Sequence, residues 1–99
     1  MDIAEVTVET FLGREGEPFS IAFADGTLDL TLVAVDRMPE EWGRGEHREP
    51  FSITLEEPSG RLLPQQIWPL DHDELGRLEL FLVAIGPEGD AMRYQAVFT

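Results

Sequence analysis

Ninety-nine residues with 42 % apolar side chains suffice for one small core, so residues 1–99 read as a single domain. Twenty acidic residues against seven basic ones give a formal charge of −13, which excludes nucleic acid and anionic membrane as expected partners. Both are bound by clustered basic side chains, and no cluster occurs here.

The chain has no cysteine, which removes disulfides, thiol catalysis and thiolate metal sites. Acidic residues at Asp2 and Glu5 stand where an export signal would carry positive charge. No apolar run approaches the roughly 20 residues that span a bilayer. A soluble, cytoplasmic protein is the expectation. All seven basic residues are arginine, which reads as a genomic composition bias.

In chain order, the first predicted element is a short helix within residues 6–12, with Thr7 as its cap and Phe11 and Leu12 facing the core. Gly13 and Gly16 end it. Phe19, Ile21 and Phe23 then alternate with smaller residues, Asp25-Gly26 supplies a two-residue hairpin turn, and Leu28, Leu30 and Leu32 complete the pair. The apolar run Val33-Ala34-Val35 predicts a stretch covered on both faces or bent through a bulge.

Residues 37–50 contain Pro39, Gly43, Gly45 and Pro50 among charges, and read as an exposed loop long enough to carry function. Trp42, His47 and Arg48 make it a candidate recognition surface, since an exposed tryptophan is a common interface anchor. The alternative is that Trp42 folds back over the barrel end. Phe51, Ile53 and Leu55 mark the next strand, with Ser52 and Thr54 on its outward face, and Pro58-Ser59-Gly60 a turn.

Pro64 and Pro69 restrict residues 62–70 to an edge strand or a short extended piece. Residues 71–76 read as a turn. Leu78, Leu80 and Leu82 alternate with Glu79 and Phe81, residues 86–90 read as a loop, and Met92, Tyr94, Ala96 and Phe98 form the last strand. The expected fold is mainly β: a small antiparallel barrel or sandwich of six to seven strands with at most one short N-terminal helix.

Few constellations could carry chemistry. His72 sits between Asp71 and Asp73, a weak metal candidate, because neighbours in a turn diverge; a solvated polar turn is the preferred reading. The spaced oxygen ligands of a calcium loop are absent. The acid pairs Glu40-Glu41 and Glu56-Glu57 are no more than a chain with twenty acids produces by chance. Ser20, Ser52 and Ser59 lie in no nucleophile elbow, and the glycines form no phosphate loop. No catalytic residue and no cofactor is expected. Strict alternation places Phe81 and Val83 opposite the leucines, and a contiguous exposed apolar patch including Trp42, Trp68 or Phe81 would mark an interface.

Seven blocks carry a resemblance: Thr10-Phe11-Leu12, Glu17-Pro18-Phe19, residues 48–52, Leu63-Pro64-Gln65-Gln66-Ile67, His72 before Leu75-Gly76, residues 78–83 and residues 92–98. Together they resemble a family of roughly 100-residue bacterial proteins catalogued only as a domain of unknown function. The resemblance implies a loose association with phage-tail-like collar-domain proteins and supplies no catalytic residues.

The first functional expectation is a non-enzymatic protein–protein interaction or assembly module, with a protein partner or a second copy joined through a strand edge. The alternatives are an acidic mimic that occupies a basic protein site and a small metal-dependent hydrolase using His72.

Overall fold

The fold is taken from a computed structural model that describes residues 1–43 and 48–99. Six antiparallel strands close into a barrel. They are β1 (Pro18–Phe23), β2 (Gly26–Arg37), β3 (Phe51–Glu57), β4 (Gln66–His72), β5 (Gly76–Glu88) and β6 (Ala91–Phe98), in the order β1-β2-β3-β6-β5-β4. The period-two pattern is the cause: one residue of each pair must point inward, and the inward set is apolar on every strand. Phe19 and Ile21, Leu30 and Leu32, Phe51, Ile53 and Leu55, Leu70, Leu78, Leu80 and Leu82, and Tyr94 and Phe98 fill the interior.

One end is plugged by a one-turn α-helix, α1 (Val8–Phe11), begun by Thr7, whose N–H donates to Thr10 Oγ1 at 3.0 Å. Phe11 drops into the barrel mouth, with ring centroids 6.1, 6.0 and 5.6 Å from Phe19, Phe51 and Phe98. Leu12, expected in the core, is exposed instead, because the helix ends at Phe11 and the next residue is already extended.

Several boundaries move. The β1–β2 turn is Ala24-Asp25, one residue earlier than predicted: Gly26, at φ +146°, pairs with Phe23. The apolar run in β2 resolves as a bulge at Val33, between the pairs Leu32↔Leu55 and Ala34↔Thr54. Asp71 and His72 belong to β4, so the predicted six-residue turn shrinks to Asp73-Glu74-Leu75. The predicted loop 86–90 is mostly strand, β5 running to Glu88 and turning through Gly89-Asp90 alone.

Ser52 and Thr54 point outward yet are buried. Each lies on the strand between two longer ones, Ser52 beside Asp36 and Val97 and Thr54 beside Ala34 and Gln95, whose flanking side chains shield such small residues.

Candidate functional site

The barrel wall has two weak seams, and both follow from where backbone donors point. In antiparallel pairs, alternate residues turn their N–H and C=O to opposite neighbours. Asp71 pairs with Ser20 on β1, so by this alternation Pro69 also faces β1, while Trp68, Leu70 and His72 face β5. Among the described residues Ser20↔Asp71 is the only β1–β4 pair, and the next position up would need the N–H that Pro69 lacks.

Side chains hold this first seam instead. His72 is buried and stacks on Phe19, with ring centroids 4.7 Å apart. Its Nδ1 accepts the N–H groups of Glu74 and Leu75, each at 3.1 Å, so Nε2 carries the proton and donates to Glu17 Oε1 at 2.6 Å. Arg14 bonds the same oxygen at 3.2 Å and lies 3.5 Å from Glu74. The His72 hydrogen bond, with Arg14 beside it, holds the Glu17 carboxyl below the ordinary carboxylate range. Arg77 does the same for Asp71 through two hydrogen bonds of 2.9 and 3.1 Å.

Asp71, His72 and Asp73 therefore do not converge on an ion. Asp71 is turned to Arg77, both ring nitrogens of His72 are engaged, and Asp73 is exposed. Among the described residues no group of three His, Asp or Glu side chains is placed to hold a metal. Glu56 and Glu57 also diverge: Glu56 pairs with Arg93 at 2.8 Å, whereas Glu57 is buried and caps its turn by accepting from Ser59 and Gly60. At the far end of the wall Tyr94 pins the segment before β4, its hydroxyl accepting from Leu63 N–H at 2.7 Å and donating to Arg61 C=O at 2.5 Å. Burial raises its pKa.

The second seam lies between β5 and β6. Their ladder starts at the hairpin and stops at Val83↔Gln95. By the same alternation Glu79 and Phe81 on β5 and Val97 on β6 direct their backbone groups into the gap beyond it, and no strand pair joins them among the described residues. The Arg77 carbonyl, in the same set, accepts from the Met1 nitrogen at 3.0 Å. A groove of about 200 Å³ opens there, lined by Glu79, Phe81, Val97, Ile67, Ile3 and Arg48, among others.

Above the groove an apolar row stands in solvent: Ile67 is 60 % exposed, Phe81 50 % and Val97 51 %. Ile67 and Phe81 are directly paired across β4 and β5. Neighbouring outward apolar side chains on three strands form a contiguous patch, and monomers seldom leave such patches uncovered.

Of the residues the sequence singles out for interaction, Phe81 is central to this patch. Trp42 is 58 % exposed on a 3-10 turn (Glu40–Trp42), so it does not fold back over the barrel end. Arg48 turns inward: Nη1 donates to the carbonyls of Ile3 and Val6, each at 2.7 Å, and the guanidinium lies 5.4 Å from the Phe98 ring centre, tying down the N-terminal segment. His47 lies outside the described residues. Trp68 is half-buried against Phe23, its indole N–H donating to Pro64 C=O at 2.9 Å. Ile67 and Val97 were missed. Val97 follows from the rule that finds Phe81, since it stands between inward Ala96 and Phe98. Ile67 is obscured by the prolines around it.

The surface charge is one-sided. Of seven arginines, Arg44 lies outside the described residues; the other six are committed internally. Arg14, Arg37, Arg77 and Arg93 pair with Glu17, Glu49, Asp71 and Glu56; Arg48 holds carbonyls; Arg61 lies over the Phe23 ring at 4.5 Å. Glu79, on the groove wall, belongs to none of these pairs.

Fold and site together define a small, acidic, closed antiparallel barrel with one incompletely zipped seam under an apolar patch. The chain belongs to the family described as Domain of unknown function (DUF6916), which matches residues 6–98. No curated protein and no solved structure matches it. Among the described residues no helix is long and apolar enough to cross a membrane.

Proposed function

We propose that this barrel is a non-enzymatic interaction module that docks a protein partner on the outer face of β4, β5 and β6. The observation that carries the reading is the exposed row Ile67, Phe81 and Val97 over the open β5–β6 seam. Three large apolar side chains in one patch supply the kind of anchor that interfaces concentrate near their centre. The same reading places the module in the bacterial cytoplasm, as an accessory or assembly factor beside phage-tail-like or surface-fibre proteins.

Two alternatives have less support. A metal-dependent hydrolase would need His72, whose two nitrogens already serve the turn and Glu17. An acidic mimic needs its acids on one face, whereas Asp25, Asp36, Asp73, Glu88 and Asp90 are spread over separate turns and strand ends.

Paired affinity capture tests the proposal. Phe81→Asp, at a half-exposed strand position paired with Ile67, costs the fold about 1–2 kcal/mol, so its folding is checked by circular dichroism before capture. A protein retained by the wild type and lost from folded Phe81→Asp supports the reading; equal retention by both contradicts it.

A further inference from the structure

The open seam and the one-sided charge together specify what kind of partner the face takes. We propose that the occupant is an extended, basic segment of another protein, pairing as a strand with the free backbone edge of β5 at Glu79 and Phe81. This rests on the docking face argued above.

Three observations converge. First, the β5–β6 ladder ends at Val83↔Gln95, so the gap-facing N–H and C=O groups of Glu79 and Phe81 make no strand pair among the described residues. An unpaired edge of this kind is a template for strand addition, where main-chain hydrogen bonds supply affinity and alternate side chains supply specificity. Second, every second side chain of an added strand points inward, toward Leu80, Ala96 and Phe98, which line the groove, so the apolar half of its pattern has a counterpart. Third, the outward half falls beside Glu79 and Phe81, which share the outer face, and so meets an acid as well as an aromatic ring. Glu79 lines the groove, and Asp2 adjoins it in a neighbouring hollow shared with Ile3 and Arg77.

Arg77 shares that hollow with Glu79 and Asp2 but is held by two hydrogen bonds to Asp71, and the other described arginines are engaged in pairs or contacts of their own. Among the described residues that line the groove the one cation, Arg48, is occupied by two carbonyls. A net charge of −13 opposes a second copy of this chain as the occupant and steers a cationic segment toward it.

The test uses two synthetic peptides of equal length, one alternating valine with lysine and one alternating valine with glutamate, added to the full chain and followed by NMR amide exchange. The lysine peptide is expected to slow exchange at Glu79 and Phe81, and to weaken by about tenfold between low and high salt. The glutamate peptide is expected to leave both amides unchanged. Glu79→Lys and Glu88→Lys alter net charge equally, so they separate the groove from bulk attraction. Loss of binding in Glu79→Lys alone supports the assignment, and equal loss in both overturns it. Protection by both peptides overturns the charge requirement. Shifts of the Phe81 and Val97 side chains without amide protection overturn strand addition while leaving the docking face intact, and so does self-association at that face. Failure of the docking face itself is read separately, as equal capture by wild type and Phe81→Asp.

Discussion

The β1–β4 seam and the open part of the β5–β6 seam are both places where the backbone ladder runs out, yet they are finished in opposite ways. At β1–β4 one bridge is reinforced by a buried histidine, two carboxylates and two arginines, each with its hydrogen bonds made. At β5–β6 the gap is left as a groove beneath exposed isoleucine, phenylalanine and valine. The difference teaches that the titratable residues of the first seam are committed to holding strands together, whereas the second seam leaves its apolar side chains uncovered. A chemist scanning for function would choose His72 first; its surroundings show that it is a turn cap and a seam clasp.

The comparison can be broken from the side of the core. Phe11 touches Phe19 on β1, Phe51 on β3 and Phe98 on β6, so Phe11→Ala loosens the barrel end that both seams share. The expected loss is about 3–5 kcal/mol in denaturant unfolding, the usual cost of emptying a buried phenylalanine site. A loss below 1 kcal/mol would mean that α1 is a dispensable lid and that the strands close the barrel without it.

It is sharpened by His72→Leu. The leucine keeps apolar volume against Phe19 but leaves the Glu74 and Leu75 N–H groups without an acceptor and Glu17 without its donor. About 1–3 kcal/mol is expected, with the loss concentrated in exchange of the 73–75 turn and β4 amides. If β5–β6 amides responded equally, the two seams would not be separate units.

Acid exposes the same seam more gently. Glu17 and Asp71 both titrate below their ordinary values of 4.5 and 3.8 because the native state favours their charged forms. Their contribution is complete above those values and is lost as pH falls through the lower folded-state values. The melting temperature should therefore drop below about pH 4.5, and Glu17→Gln should flatten the drop while lowering stability at neutral pH. A profile unchanged by Glu17→Gln would remove Glu17 from the clasp.

Most of the fold was legible because alternation is strict where it matters: Phe19-Ile21, Leu28-Leu30-Leu32, Leu78-Leu80-Leu82 and Tyr94-Ala96-Phe98 each fill one face. Boundaries were less legible where turns are shorter than their glycines suggest, as at Gly26 and Gly89, which lie at positive φ beside or within two-residue turns and so look like loop from sequence alone. Pro69 carried an unread clue. A proline in a closed barrel must sit where a ladder stops, and this one marks the seam that His72 closes. Phe81 was found by the period-two rule, whereas Arg48 looked like a surface contact because nothing in its neighbours foretells the Ile3 and Val6 carbonyls it holds.

Residue-resolved hydrogen exchange of the protein alone tests the open seam most directly. The amides of Glu79, Phe81 and Val97 should exchange with little protection while their chain neighbours Leu80, Leu82 and Ala96, bonded to β4 or β3, are protected close to the global limit. Uniform protection along residues 79–82 and 96–98 would mean that β5 and β6 are zipped throughout, and the docking face would lose its foundation.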